Sequence, residues 1–91
     1  MTRQNIKGAR TLVTGATGGI GQEIARALHA EGAELVLSGR RTDVLDPLAK
    51  ELGAQVIVAD LANLDDVARL LSEAGPLDIL VANAALPASG L

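Results

Sequence analysis

"TLVTGATGGIGQEIARAL", residues Thr11 to Leu28, decides the fold. A short apolar run leads into three spaced glycines, Gly15, Gly19 and Gly21. Ile20, Ile24, Ala25 and Leu28 then recur at helical spacing, with Gly32 as a stop signal. A strand that turns at once into a helix, with side chains withheld at the turn, reads as the first unit of a β-α-β series.

Three more apolar runs lie further along: Glu34 to Ser38, Gln55 to Ala59 and Leu77 to Ala82. Rich in Val, Ile and Leu and hardly alternating in polarity, they predict strands buried on both faces of a helix-covered parallel sheet. The second helix begins near Thr42 or Asp43, or later with Asp46 as cap and Pro47 in the first turn, and ends at Gly53. The third takes Asn63 as cap, Asp65 and Asp66 in its first turn, Val67, Leu70 and Leu71 as its apolar set and Gly75 as terminator. The order β-α-β-α-β-α-β, with right-handed crossovers, predicts an α/β, Rossmann-type doubly wound parallel sheet, cut off after its fourth strand. In it the first three strands progress one way and the fourth returns to the other side of the first.

Bulk properties narrow the function. The chain has 91 residues, 48% hydrophobic and 21% charged, with a net charge of −3. No linker composition divides it, so residues 1–91 are expected to form one unit. General affinity for nucleic acid or an anionic membrane is not expected, and any anion site must be local. Without cysteine there is no disulfide, thiol nucleophile or thiolate metal ligand, and the single His29 forms no histidine cluster, so no metal site is expected. Neither a signal-peptide pattern nor a bilayer-length apolar run is present, which points to a cytoplasmic protein. Phe, Trp and Tyr are absent. Either the core is wholly aliphatic or an aromatic part lies beyond Leu91.

In a doubly wound sheet, a crevice opens at the carboxyl ends of the strands where the winding reverses, and the glycine loop lies at its mouth. Gly15 permits the turn, Gly19 lets backbone approach a ligand and Gly21 lets the helix pack closely. A helix starting near Gly19 or Ile20 offers free N–H groups and a positive dipole end, which suit a pyrophosphate. The plainer alternative is that the glycines only make a tight strand-to-helix connection.

"TGATGGIG", Thr14 to Gly21, resembles the TGxxxGxG signature of the short-chain dehydrogenase/reductase family. Three further landmarks follow in the family's order: "SGRR" after the second strand, "ADLAN" after the third and "DILVANAA" at the fourth. Ala82 and Ala85 depart from that family's usual NNAG. The resemblance implies that Gly15, Gly19, Ile20 and Gly21 wrap the pyrophosphate, with Thr17 in the same loop. It implies that Asp60 accepts from the adenine amino group, with Leu61 beside the ring. Asn83 would brace the fourth strand, with Ala84 beside the adenine-side ribose.

Cofactor choice rests on the end of the second strand. Acidic residues there bind the 2′-hydroxyl of NAD, whereas arginine accommodates the 2′-phosphate of NADP. This chain reads Ser38, Gly39, Arg40, Arg41, with no carboxylate until Asp43. Arg40, helped by the Ser38 hydroxyl, favours NADP over NAD, while Arg41 reads as a solvated loop charge.

The family's Ser, Tyr and Lys lie after the NNAG segment, so no catalytic residue is assigned and these residues alone are expected to be inactive. The resemblance implies the cofactor-binding part of a homo-oligomeric, dimeric or tetrameric, NADP-dependent oxidoreductase acting on a small-molecule carbonyl or alcohol. The alternatives are a non-catalytic dinucleotide-binding or redox-sensing module, and a fragment that binds nothing.

Overall fold

The computed structural model describes residues 6–83. Seven elements follow in order: β1 (Arg10–Thr14), α1 (Gly19–Ala30), β2 (Glu34–Gly39), α2 (Thr42–Leu52), β3 (Gln55–Val58), α3 (Leu64–Ala74) and β4 (Ile79–Ala82). All pairings are parallel and the sheet order is β3-β2-β1-β4. The winding therefore reverses between β1 and β4, as the pattern predicts. In register, Thr11 lies between Leu35 and Ile79, and Thr14 between Ser38 and Ala82.

Strand bounds shift slightly from the sequence reading: β1 starts at Arg10, β2 reaches Gly39, β3 ends at Val58 and β4 starts at Ile79. Of the two starts for the second helix, the structure takes Thr42, which puts Pro47 inside α2. The later start at Asp46 would leave Leu45 off the helix, yet Leu45 is fully buried on the same face as Leu48, Ala49 and Leu52. Burying that stripe outweighs the single backbone donor that Pro47 lacks.

The pleat divides the core in two. Val13, Leu35 and Leu37 meet Ala25 of α1 and Leu45 and Leu48 of α2 on one face. Leu12, Val36 and Ile57 meet Leu70 and Ala74 of α3 on the other. Both clusters are wholly aliphatic. The expectation of strands buried on both faces fails at the outer pair, where Val58 of β3 is 40% and Leu80 of β4 is 57% exposed. α3 packs on β3, and no described element covers Leu80, the register partner of Leu12.

The amino ends of the strands are tied by Arg10. Its Nε donates to the Ala74 carbonyl at 2.8 Å and its Nη2 to Gln55 Oε1 at 3.0 Å, while Nη1 pairs with Glu34. The Arg10 N–H donates to Asp78 Oδ2 at 2.9 Å. One guanidinium thus links β1, β2, β3 and the end of α3, at the end of the sheet opposite the glycine loop.

Candidate functional site

At the carboxyl ends of the strands lies a cleft of about 240 Å³. Each strand contributes the segment that follows it: Gly15 and Thr17 after β1, Gly39 and Arg40 at and after β2, Ala59 to Ala62 after β3 and Asn83 after β4. The winding reversal is what brings these four segments together.

The three glycines have different neighbours. Gly15 has φ +65°, and a Cβ there would overlap the carbonyl oxygen of Asn83. A Cβ on Gly21 would overlap the Gly15 carbonyl and stand 2.9 Å from Asn83 Nδ2. A Cβ on Gly19 would meet nothing within 4 Å. Two of the glycines are therefore required by the protein's own packing of β4 against the loop. Only at Gly19 is the space left open.

Asn83 completes the joint between β4 and the loop. Its Nδ2 donates to the Gly15 carbonyl at 3.3 Å, and its backbone N–H donates to Thr14 Oγ1 at 3.2 Å. The Thr14 hydroxyl donates in turn to the Val81 carbonyl at 3.4 Å. Thr17 closes the loop against β2, because Gly39 lacks the Cβ that would stand 3.0 Å from the Thr17 methyl. Gln22 Nε2 holds the Thr17 carbonyl at 3.1 Å.

α1 begins two residues after Thr17 with Gly18 as its cap, no side-chain cap bond and no acidic residue in the first turn. α3 is the opposite case: Asn63 Oδ1 accepts from the N–H groups of Asp65 at 2.9 Å and Asp66 at 3.2 Å. Among the described residues the amino end of α1 thus keeps unsatisfied donors and its positive dipole end, the condition for holding an anion. Ile20, on its first turn, is 72% exposed and does not line the cleft.

The basic pair after β2 separates clearly. Arg41 is held by Asp43, with Nη2 2.7 Å from Oδ2. That hydrogen bond and the attraction behind it raise the guanidinium pKa and hold the carboxyl below its usual range. Arg40 lines the cleft and has no carboxylate partner among the described residues. Ser38 differs from the sequence reading. Its hydroxyl is buried, has no hydrogen-bond partner among the described residues and does not line the cleft. The pleat turns Ser38 to the face of Val36 and Ile57, away from the Gly39 side, so only its carbonyl serves the loop, accepting from Ala16 N–H at 3.2 Å.

Asp60 and Leu61 form the wall after β3. Asp60 Oδ1 accepts from Ala62 N–H at 2.9 Å, and Oδ2 has no hydrogen bond among the described residues. The Asp60 N–H donates to Asp66 Oδ2 at 2.9 Å, a tie that sequence reasoning missed by giving Asp66 only a helix-end role. The signal available was its place three residues after the cap, from which a carboxylate can reach back over the loop. Ala84 lies outside the described residues. Among the described helices, none is long and apolar enough to cross a membrane.

Comparison with known proteins agrees with this geometry. A family model described as short chain dehydrogenase matches residues 9–91. Nodulation protein G of a Rhizobium species is 47% identical over 94% of this chain, and L-xylulose reductase of Bos taurus is 44% identical over 89%. The chain spans only 38% and 34% of the lengths of those two relatives. Among solved structures, L-sorbose reductase from Gluconobacter frateurii, complexed with NADPH and L-sorbose, matches with a TM-score of 0.81 at 34% identity. That match covers 90% of this chain and 35% of the other.

Proposed function

The chain belongs to the short chain dehydrogenase family, and from that premise we propose that it is the NADP(H)-binding part of an oxidoreductase. The whole protein would move a hydride between the cofactor and a carbonyl or secondary alcohol of a small molecule. One observation carries the choice of NADP: Arg40 lines the cleft with no carboxylate partner among the described residues, while the neighbouring Arg41 is taken by Asp43. No acidic side chain among the described residues lines the cleft at the end of β2, where one would select the 2′-hydroxyl of NAD. The NADPH complex of the sorbose reductase supports the same choice.

The residues fit such a group. Gly19 leaves open the room a pyrophosphate needs, and the first turn of α1 offers donors with no acidic side chain against them. Gly15 and Gly21 shape the loop, Ile20 supplies its backbone, and Thr17 lines the cleft beside it. Arg40 takes the 2′-phosphate through its planar fork of donors. Asp60 would accept from the adenine amino group, Leu61 would cover the ring, and Asn83 would border the adenine-side ribose. The Ser38 hydroxyl is left out, being buried in the sheet. When bound, the cofactor supplies the hydride chemistry, and the task of these residues is to hold and orient it.

Calorimetric titration of the chain with 2′-phosphorylated and plain adenosine nucleotides tests the reading. The expected result is tighter binding of the phosphorylated ligand. Equal affinity removes the argument from Arg40, and no binding of either overturns nucleotide recognition.

A further inference from the structure

We infer that Asp66, itself held by Arg69, is a positioning residue for base recognition: it fixes the peptide of Asp60 and so sets where the Asp60 carboxylate meets adenine. The inference rests on the nucleotide reading above and deepens it.

Three successive residues leading into the cleft wall are each tethered, the outer two from α3 and the middle one from β2. Arg69 Nη2 donates to the Val58 carbonyl. The Ala59 N–H donates to the Gly39 carbonyl at 3.1 Å. The Asp60 N–H donates to Asp66 Oδ2 at 2.9 Å. Beyond them the Asp60 carbonyl accepts from Asn63 N–H at 2.9 Å, which closes the turn that enters α3.

Asp66 and Arg69 act as one unit. Asp66 Oδ1 lies 3.7 Å from Arg69 Nη2, and Arg69 Nη1 is anchored by Glu73 at 3.0 Å. The pair therefore grips both sides of Ala59, the carbonyl before it and the N–H after it. Asp60 needs that grip, because Oδ1 already accepts from the Ala62 N–H while Oδ2 makes no hydrogen bond among the described residues, which leaves Oδ2 the freer acceptor for a ligand. A charged acceptor on a backbone N–H is among the stronger hydrogen bonds, so releasing it lets the Asp60 peptide turn and carries Oδ2 with it. Asp65 makes a useful contrast. It shares the first turn of α3 and its favourable dipole, yet its carboxylate holds no part of this wall among the described residues.

The experiment compares binding of 2′-phosphorylated adenosine and inosine nucleotides, which differ at the amino group, by the full chain and its variants. The native chain is expected to prefer adenine. Asp66→Ala is expected to cut that preference by about tenfold while inosine affinity stays the same. Asp66→Asn, which keeps an acceptor oxygen, is expected to restore most of the preference, and Asp65→Ala to leave it unchanged. An unaltered preference in Asp66→Ala overturns the inference, as does an equal loss in Asp65→Ala. Should Asp66→Ala unfold, Arg69→Ala provides the same readout, and an unaltered preference there overturns it equally. Binding of neither nucleotide by the native chain overturns the nucleotide reading itself, and this inference with it.

Discussion

Asn83 and Gly15, 68 positions apart along the chain, are joined where β4 meets the glycine loop: the Asn83 amide donates to the Gly15 carbonyl at 3.3 Å. The contact explains why glycine is needed at Gly15 and Gly21, whereas at Gly19 the packing of the protein itself leaves room for a side chain.

Substitution separates the two cases. Gly15→Ala meets the Asn83 backbone at positive φ, and Gly21→Ala meets the Gly15 carbonyl and the Asn83 amide. Each is expected to destabilise the fold by about 2 kcal/mol or more, since backbone cannot yield as a flexible side chain can. Gly19→Ala meets nothing, so its stability is expected to stay within about 0.5 kcal/mol of native. Nucleotide affinity is expected to fall about tenfold, because on the proposed reading the methyl takes room that the pyrophosphate would occupy. Melting curves and titrations on the three variants check this. A Gly19→Ala protein that melts early but binds normally would reverse the assignment.

The two arginines after β2 give the second prediction. Arg40→Ala is expected to weaken 2′-phosphorylated adenosine nucleotides by roughly tenfold or more and to leave plain ones unchanged, as one charge-assisted contact is lost. Arg41→Ala removes only an exposed pair with Asp43, with both side chains 66% exposed. It is expected to change neither ligand's affinity. Equal losses in both variants would mean that general basic charge, rather than a placed guanidinium, attracts the ligand.

Legibility in the sequence followed the range of the interactions. Asn63 and Gly53 mark helix ends through bonds made within a turn or two, so α3 and the end of α2 could be read from spacing. The start of α2 could not, because a proline suits a first turn, and only the burial of Leu45 decides for Thr42. An apolar run such as Ile79 to Ala82 reads alike whether or not a neighbour covers it, which hid the exposure of Leu80. The joint of Asn83 with Gly15 spans 68 positions, and the resemblance, rather than any local pattern, anticipated Asn83 as a brace of the fourth strand. Ser38 could have been placed correctly, since strand parity puts it on the opposite face from Leu37 and Gly39.

Acid is expected to loosen the contact between α1 and α2. Arg26 of α1 grips Glu51 of α2 through Nε at 3.0 Å and Nη2 at 3.3 Å. That hydrogen bond first, then the attraction of Arg26 and His29, holds the Glu51 carboxyl below its usual range. A carboxyl depressed in the folded state adds stability above its unfolded pKa, and this is lost as pH falls through the folded value. Asp43 beside Arg41 has the same sign. The melting temperature is therefore expected to decline as pH drops below about 4, with a shallower decline in Glu51→Gln. Melts between neutral pH and about pH 3 measure this, and identical acid limbs would remove Glu51 from the account.

The outer edge of β4 leads to the last prediction. In the described sheet β4 stands at the end of the order, with β1 on its inner side. Leu80 is 57% exposed there, although its register partner Leu12 is 1% exposed. Leu71 of α3 adds a second apolar side chain, 49% exposed. An apolar strand with unpaired backbone groups is a template for another chain, and a charge on it discourages such pairing. The 91-residue chain studied alone is expected to self-associate as concentration rises, and Leu80→Lys to shift it towards monomer without lowering its melting temperature. Sedimentation velocity across a hundredfold range of concentration, on the order of micromolar upward, decides it. A native chain that stays monomeric throughout would overturn this expectation.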